Sequence, residues 1–479
     1  MKTFLIPIVA TVLVGLLQSC TQDADSPTVV TPAVPPPTTG LVFYVSATAG
    51  SDSRTADQAR NAATPWKTIQ KGVSSIPGGA ILMIAGGTYP EKVVVPVSAN
   101  GKATTPTLIK SKDGETAVLE GNNAGVQWEA LFLLKDNQHI TVKGLKAQNG
   151  FWYGFSGESS TNIAFDSCST FNTRASGIYI KTSSALTIRR NNIRKACQEL
   201  NRDASGNGTQ ECITVTNCHD FTVSDNEVWD GLTVDTPGGE GIDAKGGSYN
   251  GEISRNYVHD LYELGIYLDA GSKESYNIRV HSNRLFKTGG LSVAGELGGH
   301  ARDIYFYNNV VAKSRSSGVT FQSIGNGKFS NVYIVNNTFY NNAQTGFAGD
   351  ISNFSKNTGN NNLVIRNNIF YNKTANYRHS IWHDLAAPHL ISHNLYFDFK
   401  ASNNAANSFQ TTNLTAADMQ ADPQFTNPVT NDFALKATSP ALKKGMPISL
   451  PGSAAPLFTT DFLGKPRGTT SWDLGAFTN

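Results

Sequence analysis

The chain has 479 residues, with 39 Lys+Arg against 37 Asp+Glu and a formal net charge of +2. So even a balance argues against a nucleic-acid partner, which calls for a basic excess or a basic stripe. Only 16% of residues are charged while glycine numbers 44, a composition that suits a turn-rich β protein better than a helical one.

Residues 1–19 read as an export signal that stands outside the fold. Lys2 gives a positive start, and Phe4 to Leu17 is apolar but short for a bilayer span. The stretch ends in Leu17-Gln18-Ser19-Cys20, which resembles the lipobox cut by the bacterial lipoprotein signal peptidase. That resemblance implies a mature chain acylated at Cys20 and held at the outer membrane through that lipid anchor only, on its cell-surface or its periplasmic face. The alternative is an ordinary secretory signal with an incidental cysteine. Residues 20–40, rich in Pro, Thr and Ser, predict an extended tether.

Residues 41–125 predict an N-terminal cap and the first coils of a repeat array. Thr64-Pro65 opens a helix with Trp66, Ile69, Val73 and Ile76 on one face, suited to plug an open end. Between 126 and 400 one unit recurs: a β-branched strand, Asn, a second apolar strand, a polar turn, and a third strand opened by Gly. Its asparagines are Asn191, Asn226, Asn256, Asn283, Asn309, Asn337, Asn368 and Asn394, spaced 26 to 35 residues apart. Three short strands cannot bury their inner faces alone, whereas stacked coils bury a continuous core. Asn at the bend is expected to take left-handed geometry, and stacked copies to bond along the axis. The pattern predicts an all-β, single-stranded right-handed parallel β-helix, a solenoid with an N-terminal capping helix, acting as a monomer. Residues 401–479 form its closing segment.

Beyond Cys20 the cysteines are Cys168, Cys197, Cys212 and Cys218. Cys197 and Cys212 flank a polar insertion and could clamp its base as a disulfide in an exported protein. Free thiols stacked in the core are the other reading.

Aligning the third strands gives layers Gly177–Lys181, Cys212–Thr216, Gly241–Lys245 and Gly265–Asp269. Alternation sends Ile178, Ile180, Ile213, Val215, Ile242, Ala244, Ile266 and Leu268 inward. Tyr179, Thr214, Asp243 and Tyr267 then form one outward column, and Lys181, Thr216, Lys245 and Asp269 the next. Glu211 and Glu240 stack just before their strands. His259-Asp260 reads as a turn pair at another corner, and His300 and His383 lack metal-ligand spacing.

Phe43–Asp52, Pro65–Gln70 and Gly86–Tyr89 look like the opening of bacterial β-helix polysaccharide lyases. Ser439–Ala441, Asp461, Gly464–Arg467 and Asp473–Phe477 are similar to a closing segment common on such proteins. Gly239–Lys245 resembles the base-bearing strand of the lysine-base, calcium-dependent pectate lyases. The resemblance implies β-elimination on a uronate polysaccharide such as pectin, with Lys245 as base and Ca²⁺ as cofactor on Glu240 and Asp243. Stacking adds Glu211 to the metal set and Asp269 to the catalytic groups, with Lys181, Tyr179 and Tyr267 binding substrate. A lysine base needs neighbours or burial that lower its pKa. Two features depart from the pattern: Gly246-Gly247-Ser248 stands where an aspartate cluster belongs, and Leu268-Asp269 where the chondroitinase-B type carries arginine. Two other functions fit the same columns. One is a glycoside hydrolase using Asp243 or Glu240 with Asp269 as a carboxylate pair. The other is a non-catalytic glycan binder or adhesin presenting Trp152, Tyr153, Tyr179 and Tyr267.

Overall fold

The computed structural model describes residues 40–199, 211–231, 238–323, 326–345, 349–353, 357, 359–373, 379–383, 389–398 and 413–479. The export signal, Cys20, nearly all of the tether and residues 200–210 lie outside them. Parallel strands build three sheets, which among the described residues hold 13, 13 and 11 strands. Each coil gives one strand to each sheet in turn, as in Tyr249–Ser254, Tyr257–His259 and Ile266–Asp269. The fold is a right-handed parallel β-helix.

Its core follows from alternation on the third sheet. Ile178, Ile180, Ile213, Val215, Ile242, Ala244, Ile266 and Leu268 are all at 0% exposure. They join aliphatic and aromatic side chains from the other two sheets in one continuous cluster along the axis.

The eight repeat asparagines form a buried ladder between the first and second sheets. Each Nδ2 from Asn191 to Asn368 donates to the Oδ1 of the next coil's asparagine. Asn226 reaches Asn256 at 2.9 Å, Asn256 reaches Asn283 at 2.9 Å and Asn283 reaches Asn309 at 3.0 Å. The same Oδ1 also accepts a backbone N–H, as from Asn256 to Asn283 at 2.9 Å. One expectation is corrected here: the ladder asparagines are not the left-handed residues. Positive φ falls on the residue before each of them: Arg190, Asp225, Arg255, Ser282, Asn308, Asn336, Asn367 and His393. The asparagine is selected for its buried side-chain bonds, and the left-handed bend is borne by a residue of varied type.

A second ladder runs between the third and first sheets. The backbone N–H groups of Asn137, Ser160, Ser183 and Cys218 donate to the side chains of Ser160, Ser183, Cys218 and Ser248 on succeeding coils. Cys218 thus takes a serine's place, and Cys168 receives Asn191 Oδ1 on its backbone N–H at 2.8 Å. All four described cysteines are buried free thiols, so the disulfide between Cys197 and Cys212 is not formed.

The capping helix is shorter than its pattern suggested. It spans Ile69–Ser75, with Thr68 as N-cap accepting from Lys71 N at 3.1 Å. Trp66 lies before it and pairs with Val45 as an isolated bridge, because Thr68 rather than Thr64 supplies the capping oxygen. Trp66, Ile69, Val73 and Ile76 are nonetheless all buried. At the other end, the tail runs back along the asparagine corner. Arg467 donates to Asn308 Oδ1 at 2.7 Å, Asn336 Nδ2 to Asp473 O at 3.0 Å, and Asn367 Nδ2 to Met446 O at 2.8 Å. Among the described residues no helix is long and apolar enough to cross a membrane.

The ladder sets a test of stability. Asn283→Ala strands both the N–H and the Nδ2 of Asn256. Each buried orphan costs about 1–3 kcal/mol, so urea unfolding should show a loss of about 2–6 kcal/mol, against no more than about 0.5 kcal/mol for the exposed Lys102→Ala.

Candidate active site

The third sheet holds the candidate groups in the columns that alternation gives. Tyr179, Thr214, Asp243 and Tyr267 are register partners on successive coils, as are Lys181, Thr216, Lys245 and Asp269. The register is locked from inside, since a one-residue slip would turn Asp243 and Lys245 into the core and Ala244 out of it. Gly241 allows the coils to close up: a Cβ there would lie 2.4 Å from Gly265 O.

Lys245 is the centre of the cluster. Its ammonium pairs with the Glu211 carboxylate and lies 3.5 Å from Asp243 Oδ2. Glu211 is held in turn by Thr214 Oγ1 at 2.9 Å. One coil on, Asp269 Oδ1 accepts from Gly271 N at 2.7 Å, and the Tyr267 hydroxyl donates to Glu296. Two coils back from Lys245, Lys181 lies 3.3 Å from Glu158 Oε2. Asp243 Oδ1 and Glu240 Oε2 are covered and find no hydrogen-bond partner within the described chain.

Burial and mutual repulsion separate the protonation states of these groups. Burial opposes the charge on Lys245, but Glu211 and Asp243 outweigh it and hold the ammonium above the ordinary lysine range. Burial, with Glu211 and Asp269 beside it, pushes Asp243 well above the usual carboxylate range. Glu240 is raised to about 8 by burial and by Glu211. Asp269, raised by burial and then by Glu296, comes to about 6. The cluster therefore holds a charged lysine, neutral carboxyls and one carboxyl that titrates close to neutrality.

Several expectations meet this geometry differently. Lys245 is favoured in its ammonium form, because its carboxylate neighbours stabilise the proton. Trp152 and Tyr153 are 2% and 1% exposed, and Tyr267 is 8% exposed, so they are not an open aromatic platform. Tyr153 instead stacks on the half-buried Tyr179 at 4.4 Å. Glu211, Glu240 and Asp243 are near neighbours, yet no group of three His, Cys, Asp or Glu among the described residues is arranged to hold a metal ion. Glu211 is engaged by Lys245 and Thr214. His259 sits on the second sheet between Asp260 at 2.9 Å and Glu227 at 3.4 Å, away from the cluster. His300 bonds Ser330 at 2.8 Å.

Glu158 and Glu296 escaped the sequence reading. Glu158 is the direct register partner of Lys181, and Gly154 stands at the position of the Gly177 that opens the next strand. Glu296 follows the strand Leu291–Gly295, one layer beyond the four that were aligned. Carrying the column one coil back would have reached Glu158, whereas Glu296 lies two residues past Ala294, the column's next member.

Comparison with known proteins agrees with this architecture. The model of the right-handed β-helix region matches residues 129–311, and that of a domain of unknown function, DUF5123, matches residues 332–448. The uncharacterized protein YwoF of Bacillus subtilis (strain 168) is 26% identical over 367 residues, covering 70% of this chain and 69% of that one. The structure of XylC in complex with xylose superposes with a TM-score of 0.53 at 13% identity, over 91% of this chain and 98% of that one. The Streptococcus pneumoniae surface protein and adhesin PfbA gives 0.53 at 11% identity, over 78% and 99%. At these identities the likeness shows the shared fold alone.

The raised carboxyls make a pH prediction. An acid whose folded pKa exceeds its unfolded value costs stability once pH passes the unfolded value, with the full cost reached above the folded one. For Glu240 that window runs from the ordinary glutamate range up to about 8. Glu240→Gln should therefore raise the thermal midpoint at pH 8.5 more than at pH 4.

Proposed function

We propose that this β-helix is a glycan-cleaving enzyme that works by carboxylate acid–base chemistry on its third sheet. In this reading Asp243 is the proton donor and Asp269 the base that activates water. The observation that carries it is the split between the two: Asp243 is held neutral well above the carboxylate range, while Asp269 titrates at about 6. Pairs of titratable groups pushed apart by their surroundings mark acid and base roles. The two lie one coil and two residues apart, a backbone separation of about 8 Å.

Charge favours a neutral glycan. Glu158, Glu211, Glu240, Asp243, Asp269 and Glu296 outnumber the lysines of the same face, Lys135, Lys181 and Lys245, and Lys181 and Lys245 already have carboxylate partners. An anionic chain would meet like charge there. The superposable XylC was solved with xylose, a neutral sugar, so a neutral pentose polymer is a reasonable first substrate. Elimination from a uronate polymer with Lys245 as base is the competing chemistry, and it requires the ammonium to lose the proton that Glu211 and Asp243 stabilise.

The two chemistries separate in one assay over xylan, glucan, mannan, pectin and alginate. The expected outcome is new reducing ends from a neutral polymer with no ultraviolet-absorbing product. Asp269→Asn should lower kcat by about 10²–10⁴-fold, and the wild-type rate should fall as pH drops below about 6, where Asp269 protonates. An absorbing product from pectin or alginate, lost in Lys245→Ala, would establish elimination instead.

We place this activity at the bacterial outer membrane, tethered by a lipid on Cys20. Cys20→Ala in the full chain should abolish palmitate labelling and move the protein from the membrane to the soluble fraction. Labelling that persists would refute the anchor.

A further inference from the structure

Trp128 stands apart from the other large aromatic side chains of this region. It is 61% exposed and its backbone is left-handed, with φ 71, a conformation that bulky side chains rarely adopt. The surroundings hold it there. Glu129 accepts from Val126 N at 3.2 Å and pairs with Lys92, which fixes the turn on either side. The indole rests against Trp152 at 5.5 Å with a T-shaped angle of 62°. Trp152 belongs to a buried aromatic cluster with Tyr153, against which Tyr179 packs. Tyr179 is two register positions from Asp243 in the same column. A strained backbone that presents a tryptophan to solvent, on a rigid support leading to the carboxylates, has no explanation in the packing of the core.

We propose that Trp128 is a stacking platform for a sugar ring, and that the substrate is a chain running from it along the third sheet to Asp243 and Asp269. An aromatic face buries the apolar face of a pyranose at little entropic cost, since a tryptophan already held by its neighbours has little freedom left to lose. Trp128 precedes the strand Ala130–Lys135, four strands before Ile242–Lys245 in the third sheet. Four spacings make about 19 Å, the reach of a short oligosaccharide rather than of a single glycoside. The substrate class is then a neutral polymer bound over several units. The inference rests on the carboxylate site being where the glycan is cut.

Calorimetric titration of the inactive Asp269→Asn protein with xylohexaose, cellohexaose and mannohexaose tests it, alongside the same protein carrying Trp128→Ala or Trp128→Phe. The expected result is a hexaose that binds Asp269→Asn, binds at least tenfold more weakly with Trp128→Ala, and recovers most of the loss with Trp128→Phe. Unchanged thermal midpoints would show that the loss is local. Equal affinity in all three proteins overturns the platform and leaves the carboxylate reading standing. Binding of none of the hexaoses also overturns it, while reducing-end release by the wild-type chain judges the carboxylate site separately. A tenfold loss that the phenylalanine fails to recover, with a lowered thermal midpoint, would assign Trp128 to packing and likewise overturn the proposal.

Discussion

Everything in this molecule depends on the vertical register of its coils. A parallel β-helix hydrogen-bonds each strand to the coil above and below, so a side chain's neighbours are set by position within the coil rather than by distance in sequence. Two devices fix that position here. Apolar alternation decides which face points inward, and the asparagine ladder pins one corner of every coil from Asn191 to Asn394. The ladder is buried, so an absent rung leaves stranded donors rather than groups that water could satisfy. Because the register is held from the corner and from the core, the outward face of the third sheet is free to carry residues that contribute nothing to stability. The buried Asp243 and the half-buried Glu240, each with one covered and unpartnered oxygen, are such residues.

The physics of the repeat made much of the fold legible from the chain alone. Period-two alternation and the recurring Asn gave the register from Gly177 to Asp269, and the pairing of Lys245 with Asp269 follows from it. Signals that depend on a single residue type were less faithful. Asn was read as the left-handed residue because it tolerates that geometry, yet Arg190, Asp225 and Arg255 take the bend instead. Solvent-exposed turns admit any side chain that can bear the modest strain, whereas a buried rung admits only one that both donates and accepts. The helix start was misplaced for a related reason: two threonines, Thr64 and Thr68, could each cap, and only the tertiary packing of Trp66 against the first strand chooses between them.

The site was legible as a set of positions and much less as chemistry. Stacking brought Glu211, Glu240, Asp243, Lys245 and Asp269 together, but the sequence carries no measure of what covers them. Without burial, Lys245 beside carboxylates looks like a surface ion pair or an exposed base, and Tyr267 like a sugar platform. With burial, the same residues become a locked ammonium and a covered hydroxyl bonded to Glu296. The aromatic that is exposed, Trp128, sits in a turn outside the repeat, where alternation makes no statement.

Burial also bears on the proposal of carboxylate hydrolysis rather than lysine-based elimination at this cluster. In a desolvated site a lone lysine would lose its charge, and a lone carboxylate likewise. Together they need not, because each proton can go to the group whose neighbours favour it. Lys245 keeps its proton through its pairing with the Glu211 carboxylate, and that positive charge offsets part of the repulsion within the cluster. Asp243 moves upward all the same, since burial and the carboxylates of Glu211 and Asp269 act against its ionisation more strongly than Lys245 acts for it. Lys245 pairs with Glu211 and draws Asp269 back toward its ionised form, and in the proposed hydrolysis that positions Glu211 and keeps Asp269 near the ionisation a base requires. A lysine so placed is more valuable charged than neutral, which is why the lyase-like spelling of Gly239–Lys245 and the electrostatics of the folded chain point to different chemistries.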